Sequence, residues 1–185
     1  MFIQTEDTPN PETLKFMPGE NVLVKGTEDF SNIEASKISP LASRLFEVEG
    51  VSRVFLGSDF ISVTKNIDVD WNNLKPSIST GIMEHYASGF PVINDSQISE
   101  LEENAVEDTE TIKQIKDLLE TRVRPAVAMD GGDITFCSFQ DGVVTLQMKG
   151  ACAGCPSSTA TLKMGIENML RHYIPEVTEV KAAEL

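Results

Sequence analysis

Cys152 and Cys155 are separated by two residues in the run Gly150-Ala151-Cys152-Ala153-Gly154-Cys155-Pro156. Thiols at this spacing sit on one tight loop, and Gly150 and Gly154 let the backbone bend closely around whatever the sulfurs hold. Pro156 suits the first position of a helix. That leaves Cys155 at the cap, with unpaired amides and the positive helix end directed at the sulfurs. Such surroundings lower a thiol's pKa and favour thiolate, the form that binds metal. Amide donors to sulfur also tune iron–sulfur clusters. The spacing alone stays open to metal or cluster binding, to thiol–disulfide exchange, and to an inert pair.

Two thiolates are half a metal site, because zinc and iron–sulfur clusters usually take four protein ligands. The sequence has no second CxxC, and its two histidines complete no ligand motif. His85 lies in a helical stretch far from the loop, and His172 near the end of the last helix, where an imidazole serves as a dipole partner. Both read as structural or solvent-exposed. A symmetric dimer resolves the shortage, each copy bringing two thiolates to a two-fold axis. The rival readings of the same pair are a redox dithiol and a structural zinc shared by a dimer. Cys137 precedes Cys152 by 15 residues, inside a strand pattern, and reads as a packing residue.

The elements that must carry the loop follow from periodicity. Thr111-Ile112-Lys113-Gln114 matches a capping box. Ile112, Ile115, Leu119 and Val123 share one face, and Arg124-Pro125 closes that helix. Asp130-Gly131-Gly132-Asp133 reads two ways: as a glycine-dependent turn feeding the next strand, the favoured reading, or as carboxylates set near the cysteine loop or a partner. Strands over 134–139 and 143–149 surround Asp141-Gly142, a strong hairpin signal. Residues Val144, Leu146 and Met148 share one strand face. Leu162, Ile166, Met169, Leu170 and Tyr173 form the buried stripe of the helix that follows the cysteines, and 177–181 reads as a last strand. The order α-β-β-α-β makes a small open sheet covered by two helices on one face.

The N-terminal part is also mixed. Leu14–Met17 and 22–24 are strand candidates around the Pro18-Gly19 turn. Ser39-Pro40 opens a helix with Leu41, Leu45 and Val48 on its apolar face, and Gly50 stops it. Strands over 51–56 and 60–65 flank Gly57-Ser58-Asp59. Asp70 caps a further helix along Trp71, Leu74, Ile78 and Ile82, with Pro76 delaying or kinking its first turn and Gly89 and Pro91 ending it. The fold class is therefore α+β: two small α+β domains, 1–94 and 111–185, joined by an acidic linker at 95–110. A short helix over 98–105 would have little to bury.

The formal net charge is −14, from 15 Lys+Arg and 29 Asp+Glu. That balance argues against nucleic-acid or anionic-membrane partners, which need clustered Lys and Arg. Residues 1–94 hold thirteen acids and seven bases, residues 95–110 seven acids and no base, and residues 111–185 nine acids and eight bases. Like charge extends the linker and keeps the two domains apart and mobile. The nearly neutral C-terminal domain faces little net self-repulsion on pairing with a copy of itself. No apolar run approaches the roughly 18–20 residues of a membrane span. The start is acidic and has neither a secretory nor a transit pattern. An odd number of cysteines argues for a reducing compartment.

These motifs resemble the two-domain Nfu-type (NifU-like) iron–sulfur cluster proteins over nearly the whole chain. In the C-terminal part the likeness rests on Arg124-Pro125, on 129–133 and on Lys149-Gly150-Ala151-Cys152-Ala153-Gly154-Cys155-Pro156-Ser157-Ser158, a run far more specific than CxxC alone. In the N-terminal part it rests on Thr8-Pro9-Asn10-Pro11, Leu14-Lys15-Phe16, Pro18-Gly19, Ser39-Pro40-Leu41-Ala42, Leu45-Phe46, Gly50-Val51 and Asp59-Phe60-Ile61. The resemblance implies a non-enzymatic scaffold or carrier. It would hold a labile [4Fe-4S] cluster between two subunits through Cys152 and Cys155 of each. The implied partners are an upstream cluster donor and apo iron–sulfur client proteins, the latter met by a targeting N-terminal domain. Cys137 is not a motif position and inherits no role. Mitochondrial members carry a transit peptide, so the expected compartment is a bacterial cytoplasm, or the mitochondrial matrix for a processed chain.

Overall fold

The computed structural model describes residues 2–94, 109–153 and 156–183. The chain divides into two compact units, Met1–Glu102 and Glu103–Leu185. Most of the expected acidic linker, and the short helix expected at 98–105, lie outside the described residues.

The first unit is a five-stranded antiparallel sheet in the order β1-β2-β5-β4-β3. Its strands are β1 (Gln4–Asp7), β2 (Thr13–Met17), β3 (Glu28–Phe30), β4 (Val51–Leu56) and β5 (Ile61–Lys65). Helices α1 (Pro40–Phe46) and α2 (Trp71–Ser88) share one core with the sheet, built on Leu14, Phe16, Leu45, Val54, Ile61, Ile78 and their neighbours. Ser39 Oγ accepts from the Ala42 amide at 3.0 Å and donates to the Val92 carbonyl at 2.6 Å. One hydroxyl thus caps α1 and ties down the chain beyond α2. Asp70 accepts from the Asn72 amide at the start of α2, and Gly89 ends it in the left-handed conformation.

Three expectations need correction here. Residues 22–24 are not a strand: the amides of Val22 and Leu23 both turn to one carbonyl, that of Ser58, instead of to a ladder. The strands at the sheet edges, β1 and β3, carry little apolar alternation and were not expected. Pro76 does not delay α2, which opens at Trp71 and runs through it; its missing N–H frees the carbonyl of Asn72, an exposed residue that water can reach.

The second unit is a three-stranded sheet in the order β6-β7-β8, with β6 (Gly132–Gln140) and β7 (Val143–Gly150) antiparallel and β8 (Glu179–Ala182) parallel to β7. A parallel neighbour demands a crossover, and α5 (Pro156–Tyr173) provides it. Helices α3 (Glu110–Leu118), α4 (Arg124–Met129) and α5 share a core with Ile134, Val144, Leu146 and Val180.

The local signals shift in four places. The cap of α3 is Thr109, whose Oγ1 accepts from the Ile112 amide, not Thr111; the helix therefore starts inside the expected linker. Arg124-Pro125 does not close the helix. A π turn over Leu119–Val123 lets the Arg124 amide bond to Leu119 O, five residues back, and Pro125 falls in the first turn of α4, where its missing N–H is harmless. A bulge between Phe136 and Ser138 resets the alternation of β6, so Phe139 packs on the core and Cys137 is exposed, not packed. Tyr173 is 48% exposed, because its ring lies against Arg122 (5.1 Å) and edge-on to His172 (5.0 Å) and not in the core.

Candidate metal centre

Strand β7 ends at Gly150, whose φ of 60° turns the chain out of the sheet. Three hydrogen bonds then fix the loop. The Ala153 amide donates to Gly150 O (3.0 Å), the Ala151 amide donates to Gly131 O (3.1 Å), and Thr159 Oγ1, in the first turns of α5, donates to Cys152 O (3.0 Å). The loop is therefore tied at once to its own strand, to the turn before β6, and to the helix after it.

Cys152 is 6% exposed and packs with the core of the second unit. Its sulfur rests against Gly132. A Cβ at Gly132 would stand 2.5 Å from Cys152 Sγ, 2.8 Å from Lys149 O and 2.9 Å from the Cys152 amide. Only glycine permits so close an approach of strand and thiol. Burial pushes the Cys152 thiol up to about 12, and the carboxylates of Asp130 and Asp133 add to the effect. For Cys152 the direction is opposite to the lowering expected at the two sulfurs, and its first cause is burial. A thiophilic metal must displace that proton to bind.

Asp133 is buried and paired with Arg124. The Arg124 Nε donates to Oδ1 at 2.8 Å and Nη2 to Oδ2 at 2.9 Å, a two-pronged contact, and the Ile134 amide donates to Oδ1 at 2.8 Å. Arg124 Nη1 also reaches Glu120 at 2.6 Å, one turn earlier. Asp133 foremost, with Glu120, raises the Arg124 pKa against the opposing cost of burial.

Cys152 thus stands on a built loop, while Cys155 and Gly154 lie outside the described residues. Among the described residues no three His, Cys, Asp or Glu side chains converge on a metal-sized site. His85 belongs to the first unit and is buried, with its Nε2 lacking a hydrogen-bond partner; His172 is exposed. Sequence reasoning underrated Asp130-Gly131-Gly132-Asp133, which is more than a turn feeding β6. Its glycine receives the thiol and its second carboxylate holds the arginine. Adjacent glycines followed by a carboxylate, with an Arg-Pro pair just upstream, were the available signal.

Residues 3–89 match the family described as "Scaffold protein Nfu/NifU N terminal", and residues 115–181 match "NifU-like domain". The chain is 52% identical over 185 residues to "NifU-like protein 5, mitochondrial" of Arabidopsis thaliana, covering 98% of this chain and 67% of that protein. It is equally similar to "NifU-like protein 4, mitochondrial" of the same plant, at 52% identity, 98% of this chain and 65% of the relative. With "NFU1 iron-sulfur cluster scaffold homolog, mitochondrial" of Drosophila sechellia it shares 53% identity over 182 residues, 98% of this chain and 64% of the relative. The chain spans just under two thirds of the length of these last two relatives. The two family models match successive parts of the chain, and the chain belongs to the Nfu-type, NifU-like family.

Proposed function

We propose that the protein is an iron–sulfur cluster scaffold and carrier. In this reading Cys152 and Cys155 of one copy and the same pair of a second copy supply four thiolates to one [4Fe-4S] cluster, which is cargo passed on to apo-proteins. Residues 111–185 form the cluster-bearing domain, residues 1–94 the client-targeting domain, and residues 95–110 the acidic linker. The observation that carries the reading is the cradle at Cys152, a thiol seated on glycine at the strand-to-helix loop of a NifU-like domain. The Drosophila relative's name calls that protein an iron-sulfur cluster scaffold homolog. The relatives' names also favour the mitochondrial of the two expected compartments. No described helix is long and apolar enough to cross a membrane.

The rival redox-dithiol reading predicts turnover of a disulfide substrate by the metal-free protein, which the scaffold reading does not.

The test is anaerobic reconstitution with iron and sulfide, with spectroscopy, iron and sulfide analysis and mass measured on one sample. The expected product is a dimer with about one four-iron cluster, since such clusters take four thiolates. Cys152→Ala and Cys155→Ala should each abolish loading, and Cys137→Ala should leave it intact. A colourless monomer, tight zinc without iron, or turnover of a disulfide substrate by the metal-free protein would overturn the proposal.

A further inference from the structure

We infer that Arg124 is a positioning residue for the Cys152 thiol, acting through Asp133 and the Gly132 cradle. The inference rests on the scaffold reading for its functional meaning, and on geometry for its substance. A continuous chain of contacts leads from one residue to the other. The π turn at Leu119–Val123 displaces the helix register just before Arg124. The guanidinium then meets the buried Asp133 carboxylate with two parallel bonds, 2.8 and 2.9 Å, while Glu120 holds its remaining edge at 2.6 Å. Asp133 pairs across the ladder with Lys149, and Gly132 with Gly150, the residue from which the cysteine loop departs. Gly132 touches the sulfur, and Gly131 O takes the Ala151 amide.

Arg124 and Asp133 therefore clamp the strand that forms the floor under Cys152. A planar fork held by two carboxylates fixes orientation in a way a flexible ammonium cannot. With the clamp closed, Cys152 keeps one seat against Gly132. With it open, β6 shifts relative to the loop and the thiol is released to solvent. For a carrier, the strength of this clamp sets how long the loop retains its cargo.

The test uses the full chain with Cys137→Ala as background, so that the exposed thiol does not compete for reagent. In the metal-free protein, carboxamidomethylation of Cys152 by iodoacetamide is followed by fragment-ion mass mapping, which separates it from Cys155. Arg124→Gln removes the fork. Arg124→Lys keeps the charge without the paired geometry and is the variant of record should Arg124→Gln not fold. Val180→Ala, in β8 on the opposite sheet edge from β6, is the control for general loss of stability, buried Val180 being distant from the clamp in strand order.

The Arg124 variant should alkylate at Cys152 on the order of tenfold faster, through local opening, and its reconstituted cluster should be lost faster to a chelator. Val180→Ala, which loosens the shared core without touching the fork, should leave the Cys152 rate well below that of the Arg124 variant. A wild-type alkylation rate in the Arg124 variant, or an equal acceleration in Val180→Ala, overturns the inference. A wild-type chain that takes no cluster defeats the proposed function instead, and the alkylation comparison still decides the clamp.

Discussion

Gly132→Ala isolates the contact on which the candidate centre depends. The added methyl meets three atoms closer than 3.0 Å: the Cys152 sulfur at 2.5 Å, Lys149 O at 2.8 Å and the Cys152 amide nitrogen at 2.9 Å. Two of the three are backbone, part of the β6–β7 ladder and of the loop it supports, so no side-chain rotation relieves the clash. Overpacking of this kind costs about 1–3 kcal/mol. A smaller opposing gain of about 0.4–1 kcal/mol comes from the lost freedom of the unfolded chain. At a tenfold change per 1.4 kcal/mol, the central net cost of about 1.3 kcal/mol corresponds to about tenfold, and the largest net cost of about 2.6 kcal/mol to about 70-fold, lower hydrogen-exchange protection where amides exchange by cooperative opening. Mass-resolved exchange on β6 and β7 peptides of the metal-free chain reads that loss directly, and Cys152 should become more reactive toward alkylating reagent in the same sample. Gly165→Ala, in the interior of α5, supplies the opposite sign. Nothing lies within 4 Å of its missing Cβ, so Ala there should stabilise by up to about 1 kcal/mol. Unchanged protection in Gly132→Ala, or matching changes in the two variants, would show that the glycine is not seated against the thiol as described.

His85 predicts an acid-sensitive first unit. It is 1% exposed and its Nε2 has no partner; desolvation foremost, with the nearby Arg44 charge, lowers its pKa below 6.5. Since the folded value is the depressed one, the stability is fully present above pH 6.5 and falls as the pH drops toward the folded pKa. His85→Leu should flatten urea-denaturation stability between pH 7.5 and 5.5 and add about 1 kcal/mol at neutral pH; an unchanged pH slope would refute the assignment. Asp29 and Arg53 form a two-pronged pair at 2.7 and 2.6 Å with both side chains mostly buried. Asp29→Ala should therefore cost about 3 kcal/mol, measured by urea denaturation, and a loss below about 1 kcal/mol would place the pair among weak surface bridges. Cys137, exposed at the bulge of β6, should tolerate Ala with a change within about 0.5 kcal/mol by the same measurement.

Residues whose signal is local were legible in the sequence. Ser39-Pro40, Asp70 and Gly89 mark helix ends through groups within a few positions of themselves, and the structure uses each as read. The apolar alternation of Val144, Leu146 and Met148 gave the buried face of β7 directly. What escaped depended on partners elsewhere in the chain. β1 is exposed along its whole length and exists because β2 offers it a free edge. The bulge at Cys137 is a property of two strands in register, and it alone decides that Phe139 turns inward. Pro125 is a stop signal when its own segment is considered, yet the π turn before it absorbs the lost hydrogen bond.

The same distinction governs the centre itself. Cys152-Ala153-Gly154-Cys155 announces thiol chemistry because ligand type and spacing are local properties. The state of the Cys152 thiol is not local: it follows from burial against Gly132 and from the carboxylates of Asp130 and Asp133, nineteen or more positions upstream. A helix end one turn away offers a dipole worth about 0.3–1 kcal/mol when exposed, whereas desolvation of a buried ionisable group moves a pKa by several units. The larger effect comes from burial among residues that the sequence separates most, and for that reason the setting of the Cys152 thiol could not be read from the motif.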